Sequence, residues 1–367
     1  MKYIVYCIVL FGFINFSLAQ NYEFTPLIDI DASPVISQGK TGTCWSFSTS
    51  SFVESEIERI SGKKIDISEM YSVRAIYGEK AWNYVMRQGH AQFSEGGLAH
   101  DLMNAISING LVPQQDFTGL KNNETGHDHS KIVPELKIVL DAYIHQDSTV
   151  TNWMELTEDV LDNNLGTTIE TFEYDGKTYT PLEFLAYTQL NPAAYITLTS
   201  FTHRPDYSKF ILNIPDNFSN GSFYNLPLDE YMDILDWALE NGYTVELDID
   251  VSEPTFSAKK GMAVIPKNKK DYEKGMTEII EELKITPEFR QAEFENYNTT
   301  DDHLMHITGM VKDQKGNKYY KVKNSWGASL ANGGYVYVSE AFMRLKSISI
   351  MIHKDAISKE LKTKLEI

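Results

Sequence analysis

The sequence predicts an α+β chain of two lobes, a helical lobe first and a strand-rich lobe last. Three observations predict it. Apolar residues recur at helical spacing through roughly the first 110 positions. Strand-like runs rich in Val, Ile and Tyr dominate after Tyr243. The chain has 367 residues, 42% hydrophobic and 23% charged, which is enough length for two cores with globular composition.

The elements follow in order. Residues 1–19 read as a signal peptide: Lys2, an apolar run from Tyr3 to Phe16, then Ser17-Leu18-Ala19 with small residues at the two positions a signal peptidase reads. Cleavage is expected before Gln20. The run is shorter than the roughly 20 residues a membrane span needs, and no later segment is apolar enough, so the expectation is a secreted or periplasmic protein with no stable membrane anchor.

A helical lobe is expected over residues 20–116. Phe47, Val53, Ile57 and Ile60 share one face of a helix that starts at Cys44 and ends at Ser61-Gly62. A second helix runs from Glu69 to about Arg87. Gly96-Gly97 breaks the pattern, and Leu98 to Ile108 is helical again until Asn109-Gly110. Residues 117–225 read as a mixed insertion. The strand-rich lobe, 226–367, opens with an amphipathic helix in which Tyr231, Ile234, Leu235, Ala238 and Leu239 share a face, capped by Gly242. Strands are expected at Tyr243–Ile249, His303–Val311, Tyr319–Lys323 and Gly334–Val338.

Net charge is −18, which repels phosphate backbones and argues against nucleic acid as a partner. Cysteine usage is more pointed. Of two cysteines, Cys7 lies in the leader, so Cys44 stands alone in the mature chain and cannot form an internal disulfide. A lone thiol is either inert or reactive, and its setting decides. In QGKTGTCWSF a Gly-containing turn precedes a helix that begins at Cys44. Unpaired N–H groups at a helix start favour the thiolate. Gln38, six residues earlier, can aim its amide at the oxygen of an attacked carbonyl, with the Cys44 N–H as second donor.

The partners such a thiol needs lie far downstream. DDHLMHITG holds His303 at the start of a strand and a rival, His306, three residues on and hence on the opposite face. In KNSWG, Asn324 can accept an imidazole N–H and set its tautomer, a role for which Asp301 and Asp302 are alternatives, and Trp326 can shield that bond.

These three blocks, in this order, resemble the signature blocks of papain-like cysteine peptidases. The resemblance assigns Cys44, His303 and Asn324 as catalytic, Gln38 to the oxyanion hole, Gly96-Gly97 to backbone pairing with an extended substrate, and Trp326 to a supporting position. It implies a papain-like two-lobe fold with the cleft between lobes, peptide substrates and no cofactor or metal. Further features are similar to the bleomycin hydrolase and bacterial aminopeptidase branch: few residues between Gln20 and Cys44, no disulfide cysteines, the stretch from Gly96 to Pro113, and Phe289-Arg290-Gln291 through His303. That resemblance covers about residues 26–130 and 226–355 and implies aminopeptidase action without propeptide removal. It leaves room for a homo-oligomer, since bleomycin hydrolases tend to form hexameric rings. In that branch the chain's own C-terminus fills part of the cleft and its carboxylate meets the substrate's amine. Here the residues after Asp355 read as a short charged helix ending at Ile367, so the middle insertion or acidic residues at the rim would have to take that part.

Three readings stay open on the residues: an aminopeptidase, a secreted endopeptidase, and a binding protein on an inactive peptidase scaffold. Transfer to an acceptor amine, as in transglutaminases, is disfavoured by Asn324. Gly126-His127-Asp128-His129 reads as a solvated loop rather than a metal site. Asn123, Asn217, Asn220 and Asn298 each begin an Asn-x-Ser/Thr triplet.

Overall fold

The computed structural model describes residues 21–121, 124–147 and 149–367. The leader, its cleavage point and Asn123 lie outside them.

Strand β1 (Thr25–Asp29) leads into α1 (Cys44–Ser61), α2 (Glu69–Met86), α3 (Ala99–Asn109), α4 (Ile132–Ile144) and α5 (Trp153–Leu165). A hairpin, β2 (Phe172–Tyr174) and β3 (Lys177–Tyr179), precedes α6 (Pro181–Thr188). Then come β4 (Tyr195–Thr199), β5 (Lys209–Ile211), β6 (Ser222–Asn225), α7 (Leu228–Glu240) and β7 (Val245–Ile249). The chain continues through β8 (Phe256–Ser257), β9 (Met262–Ala263), α8 (Tyr272–Gly275) and α9 (Pro287–Glu295) to β10 (His303–Lys312) and β11 (Lys318–Lys323). It closes with α10 (Ala331–Gly334), β12 (Tyr335–Ser339), α11 (Glu340–Lys346), β13 (Ser347–His353) and α12 (Lys359–Lys364).

Eleven strands form one sheet in the order β5-β6-β4-β13-β7-β10-β11-β12-β9-β8, with β1 added on β10. Its alternation separates two cores. Val245, Leu247 and Ile249 of β7, with Met305 and Ile307 of β10, pack against Leu235 of α7 and Leu361 and Leu365 of the C-terminal segment. Leu304 faces the other way, into a core with Trp45, Phe52 and Ile57 of α1, Met70 of α2 and Leu102 of α3. Each such fully buried aliphatic or aromatic side chain contributes about 1.5–3 kcal/mol. The α1 helix stops where Gly62 takes φ 71° and returns its N–H to Glu58 O at 2.8 Å, a left-handed cap that a side chain would strain.

Two expectations change. Residues 117–225, expected as a mixed insertion, pack into both lobes rather than standing apart from them. Ile132, Leu136, Leu140, Leu161 and Phe184 bury into the core of α1 and α2, so the helical lobe extends through α6. The β4 and β6 strands join the large sheet through β13. The reason is that β13, SISIMIH, is buried on both faces, with Ile348 and Met351 in one core and Ile350 and Ile352 in the other. Second, the strand-rich lobe recruits β1 from the N-terminal segment, in antiparallel register with β10. The C-terminal tail is the short helix expected, docked on the α7 face of the sheet, opposite α1.

Candidate active site

Three segments meet at the start of α1. The first is the turn 38–43. Gln38 N–H donates to Ser325 O at 2.8 Å, and its side chain is fixed at both ends: Oε1 accepts Ser325 Oγ–H at 2.6 Å and Nε2 donates to Thr41 O at 2.7 Å. One amide N–H of Gln38 remains uncommitted. Gly39 has φ 70°, and a Cβ there would overlap the His127 carbonyl, which accepts Lys40 N–H at 2.8 Å. In the segment 126–129 Gly126 and Asp128 are exposed as expected, but the two histidines are not solvated. His127 and His129 are 9% and 2% exposed, His129 Nδ1 lies 3.1 Å from Tyr77 Oη, and their backbone braces the turn.

Cys44 follows as the first residue of α1, 8% exposed. Thr43 makes no side-chain cap bond, but its carbonyl accepts Ser46 N–H at 2.9 Å and Phe47 N–H at 3.3 Å, and the Trp45 N–H is directed at the thiol. The helix start was expected to depress the thiol pKa. Burial instead pushes it up to about 12, and the carboxylates of Asp216 and Asp301 add to the rise, while the Leu304 N–H acts against it.

The third segment comes from the sheet. His303 begins β10 at 3% exposure, and its Nε2 lies 2.8 Å from Asn324 Oδ1. That oxygen also accepts Ser325 N–H at 2.7 Å. Flipping the amide would set N–H against N–H, so Oδ1 is the acceptor and His303 Nε2 carries the proton. Nδ1 is left as a base. Burial lowers His303 to about 4, offset in part by the Asn324 bond. Burial thus opposes charge on both Cys44 and His303. The Trp326 ring lies 4.7 Å from the imidazole, tilted 33°, and at 39% exposure it roofs the His303–Asn324 bond.

The rivals sit elsewhere. His306 is fully buried, with Nδ1 2.9 Å from Ser51 Oγ. It lines a cavity of about 360 Å³ behind Asn324, together with Glu54, Glu69 and Lys323, whose walls include neither Cys44 nor His303. Asp302 accepts Ser252 N–H at 3.2 Å and Thr300 Oγ1–H at 2.8 Å, away from the imidazole. Asp301 faces Asp248.

Gly96-Gly97, expected to pair its backbone with substrate, is closely packed by other residues of the chain. Gly97 lies against the Trp45 ring, 3.1 Å from where a Cβ would stand. Lys80 Nζ donates to Gly96 O, and a Cβ on Gly96 would overlap the Asp216 carboxylate. Glu95 anchors this stretch beside the thiol by accepting Gly42 N–H at 2.5 Å on its carboxylate and Trp45 Nε1–H at 2.9 Å on its carbonyl. Residues from the middle of the chain therefore already cover the Gly96 face.

Three residues at the site escaped the sequence reading: Ser325, Asp216 and Asp248. Ser325 sat within a quoted motif, but its partner is 287 positions away. Asp248 carried a signal: in VELDI the apolar residues alternate with Glu246 and Asp248, an acidic face that the fold buries. Asp216 lies in a Pro-Asp-Asn turn that only the tertiary structure places. Asn217 is also settled by it: at 7% exposure, with its side chain bonded to Leu212 O, Gly221 O and Gly221 N, it is no open glycosylation acceptor.

A two-lobed α+β fold with a helix-start cysteine that receives the Leu304 N–H, next in sequence to a His303 bonded to asparagine, defines a papain-like cysteine peptidase. The family model described as Peptidase C1-like family matches residues 170–367, more than half of the chain, and the chain belongs to that family. The match holds His303 and Asn324 and begins after Cys44. Among characterised relatives, aminopeptidase C of Listeria monocytogenes is 22% identical, covering 91% of this chain and 83% of its own. Aminopeptidase C of Lactococcus lactis subsp. cremoris is 22% identical with the same coverage. The crystal structure of PepW from Lactobacillus rhamnosis HN001 superposes with a TM-score of 0.74 at 19% identity, covering 93% of this chain and 84% of that one. The chain is a cysteine peptidase of the aminopeptidase C type. These alignments run through the middle region that the motifs alone matched loosely.

Proposed function

We propose that this protein is an aminopeptidase that cleaves peptide bonds through a Cys44 thioester. His303 Nδ1 takes the Sγ proton as sulfur attacks the scissile carbonyl. The uncommitted N–H of Gln38 and the N–H of Cys44 receive the oxyanion. As the intermediate collapses, the C–N bond breaks and His303 returns its proton to the leaving amine. His303 then takes a proton from water, whose oxygen attacks the thioester, and the acid product leaves with Cys44 restored as a thiol. Asn324 holds the imidazole in the required tautomer throughout.

The observation that carries the reading is the His303 Nε2–Asn324 Oδ1 bond of 2.8 Å beside a helix-start thiol, in a chain whose relatives are named aminopeptidase C. Two measurements test it. Cys44→Ala removes turnover while the protein still melts cooperatively; retained hydrolysis in pure Cys44→Ala protein sinks the mechanism. A matched pair of fluorogenic amides, one with a free amine and one acetylated, tests the direction. Faster cleavage of the acetylated twin makes the protein an endopeptidase. Export rests on the sequence of residues 1–19 alone, and a mass beginning at Gln20 in the periplasm or medium is its test.

A further inference from the structure

If the protein removes residues from an amino end, something must close the cleft and meet the ammonium. The helix at Lys359–Lys364 is not placed to do so. Leu361 and Leu365 are packed in the core beneath α7, on the face of the sheet opposite α1, and Lys364 is tied to Glu230 at 3.6 Å.

The loop 212–221, between β5 and β6, is placed to do so. It leaves the edge of the sheet and docks on the helical lobe. Leu212 and Ile214 enter the helical core, and Asn217 fastens the loop's two ends through its bonds to Leu212 O at 2.8 Å and Gly221 N at 2.7 Å. Ser219 Oγ lies 3.0 Å from His100 Nε2, and the Lys80 ammonium stands 5.0 Å from the centre of the Phe218 ring. At the tip, Asp216 lays its carboxylate on Gly96 and accepts a single side-chain hydrogen bond, from Gln92 Nε2 at 3.2 Å.

Behind Asp216 the site has an unusual floor. Asp248, 1% exposed, points from β7 toward α1, and both of its carboxylate oxygens are buried with no partner other than the facing Asp301. Both oxygens of Asp301 are buried too, facing Asp248 and the backbone N–H of Asp216. The nearby cation, Lys80, is committed to Ser94 O at 3.0 Å and to Gly96 O. Among the described residues the acids do not form a group placed to hold a metal ion. The Lys80 charge favours the Asp216 carboxylate, but burial makes all three carboxyls costly to ionise. Burial raises the pKa of all three, Asp301 to about 7. An ammonium is the ligand that relieves this cost.

We propose that Asp216, backed by Asp301 and Asp248, receives the α-ammonium of the peptide's first residue, and that the 212–221 loop is the stop that limits the cleft to free amino ends. This rests on the aminopeptidase reading and names the group that enforces it. It also couples binding to chemistry. Asp216 and Asp301 both oppose ionisation of Cys44, so an ammonium seated between them removes a penalty on the thiolate just when the scissile carbonyl arrives. An acetylated peptide offers no such charge to Asp216 and Asp301.

The experiment compares wild type, Asp216→Asn and Asp301→Asn on an alanyl fluorogenic amide and its N-acetyl twin, with iodoacetamide labelling of Cys44 and a melting curve to show an intact protein. In wild type the free amine is the better substrate. In Asp216→Asn its kcat/KM falls at least tenfold, chiefly through KM, while the acetylated twin is cleaved as well as before or better; Asp301→Asn moves the ratio in the same direction. Should Asp216→Asn not fold, Asp216→Ser is put through the same comparison. Wild-type preference for the free amine, retained in every folded variant, overturns this assignment and leaves the aminopeptidase reading standing. A wild type that prefers the acetylated twin removes both.

Discussion

Ser325 donates its hydroxyl to Gln38 Oε1 at 2.6 Å, and the backbone beside it closes a second bond, Gln38 N–H to Ser325 O at 2.8 Å. The residue that follows Asn324 thereby aims the amide of the candidate oxyanion donor. A charge-stabilising group works only if it is already oriented when charge develops.

Loss of that hydroxyl should leave the Gln38 amide held only at its Nε2 end, by Thr41 O. Ser325→Ala is expected to lower kcat by about tenfold with little change in KM, less than the 100-fold or more expected for Gln38→Ala. In a Gln38→Ala background the Ser325 change should add nothing, because the two act as one unit. Additive losses would show that Ser325 acts by another route.

His303 links the site to acid stability. Its folded pKa lies at about 4, below its ordinary value of 6.5, because burial disfavours the cation. Between those values the unfolded chain binds a proton that the folded chain refuses. The contribution of neutral His303 is therefore whole above pH 6.5 and is lost as pH falls through 4. The melting temperature of wild type, compared with His303→Asn from pH 8 to pH 4, should show the difference shrinking on acidification. A difference that is constant across the range would contradict the burial argument.

Asp301 works with the opposite sign. Burial raises it from 3.8 to about 7, with the Asp216 charge adding to the rise. Between those values the folded chain binds the extra proton, so this group's contribution declines as pH rises from 4 to 7. Asp301→Asn should accordingly be more stable relative to wild type at pH 8 than at pH 5, by about 1–3 kcal/mol. Denaturant titrations at the two pH values measure it; equal differences at both would mean that Asp301 titrates normally. A gain in stability bought by a loss of free-amine preference would mark the residue as kept for function.

Arg290 predicts a structural failure. It is 1% exposed, donates to Ser200 O at 2.7 Å and Arg344 O at 2.9 Å, and lies 4.7 Å from the centre of the Phe201 ring. Its neighbour Gln291 accepts Thr202 N–H at 2.7 Å. Together they clamp the chain after β4 to α11. Arg290→Ala should cost about 3 kcal/mol or more, since it orphans buried carbonyls and opens a cavity. An urea midpoint within error of wild type would refute this.

Much of the site was legible because catalysis is written in local chemistry. A lone cysteine after a glycine turn, a histidine opening a strand and an Asn-Ser-Trp-Gly run each carry a short-range reason for their place, and their order identified the class. The helices at Cys44, Glu69 and Leu228 were legible for the same reason: their periodicity and end signals lie within a few turns. The middle was not legible. Its helices bury against α1 and α2, and its strands extend a sheet whose centre, β13, lies some 150 residues later, so no local pattern marks where it belongs.

The sequence by itself determined the nucleophile, base and orienting residue as candidates, the α+β class and the lone thiol at a helix start. Only the tertiary structure decided that burial outweighs the helix start at Cys44, that Gly96 is covered, and that Asp216, Asp248 and Asp301 face one another beside the thiol. The division has a physical cause. Helix and strand periodicity, turn chemistry and motif spacing depend on neighbours along the chain. Desolvation and the meeting of like charges depend on what surrounds a group in space, and at this site the surroundings come from four segments spread over more than 250 residues.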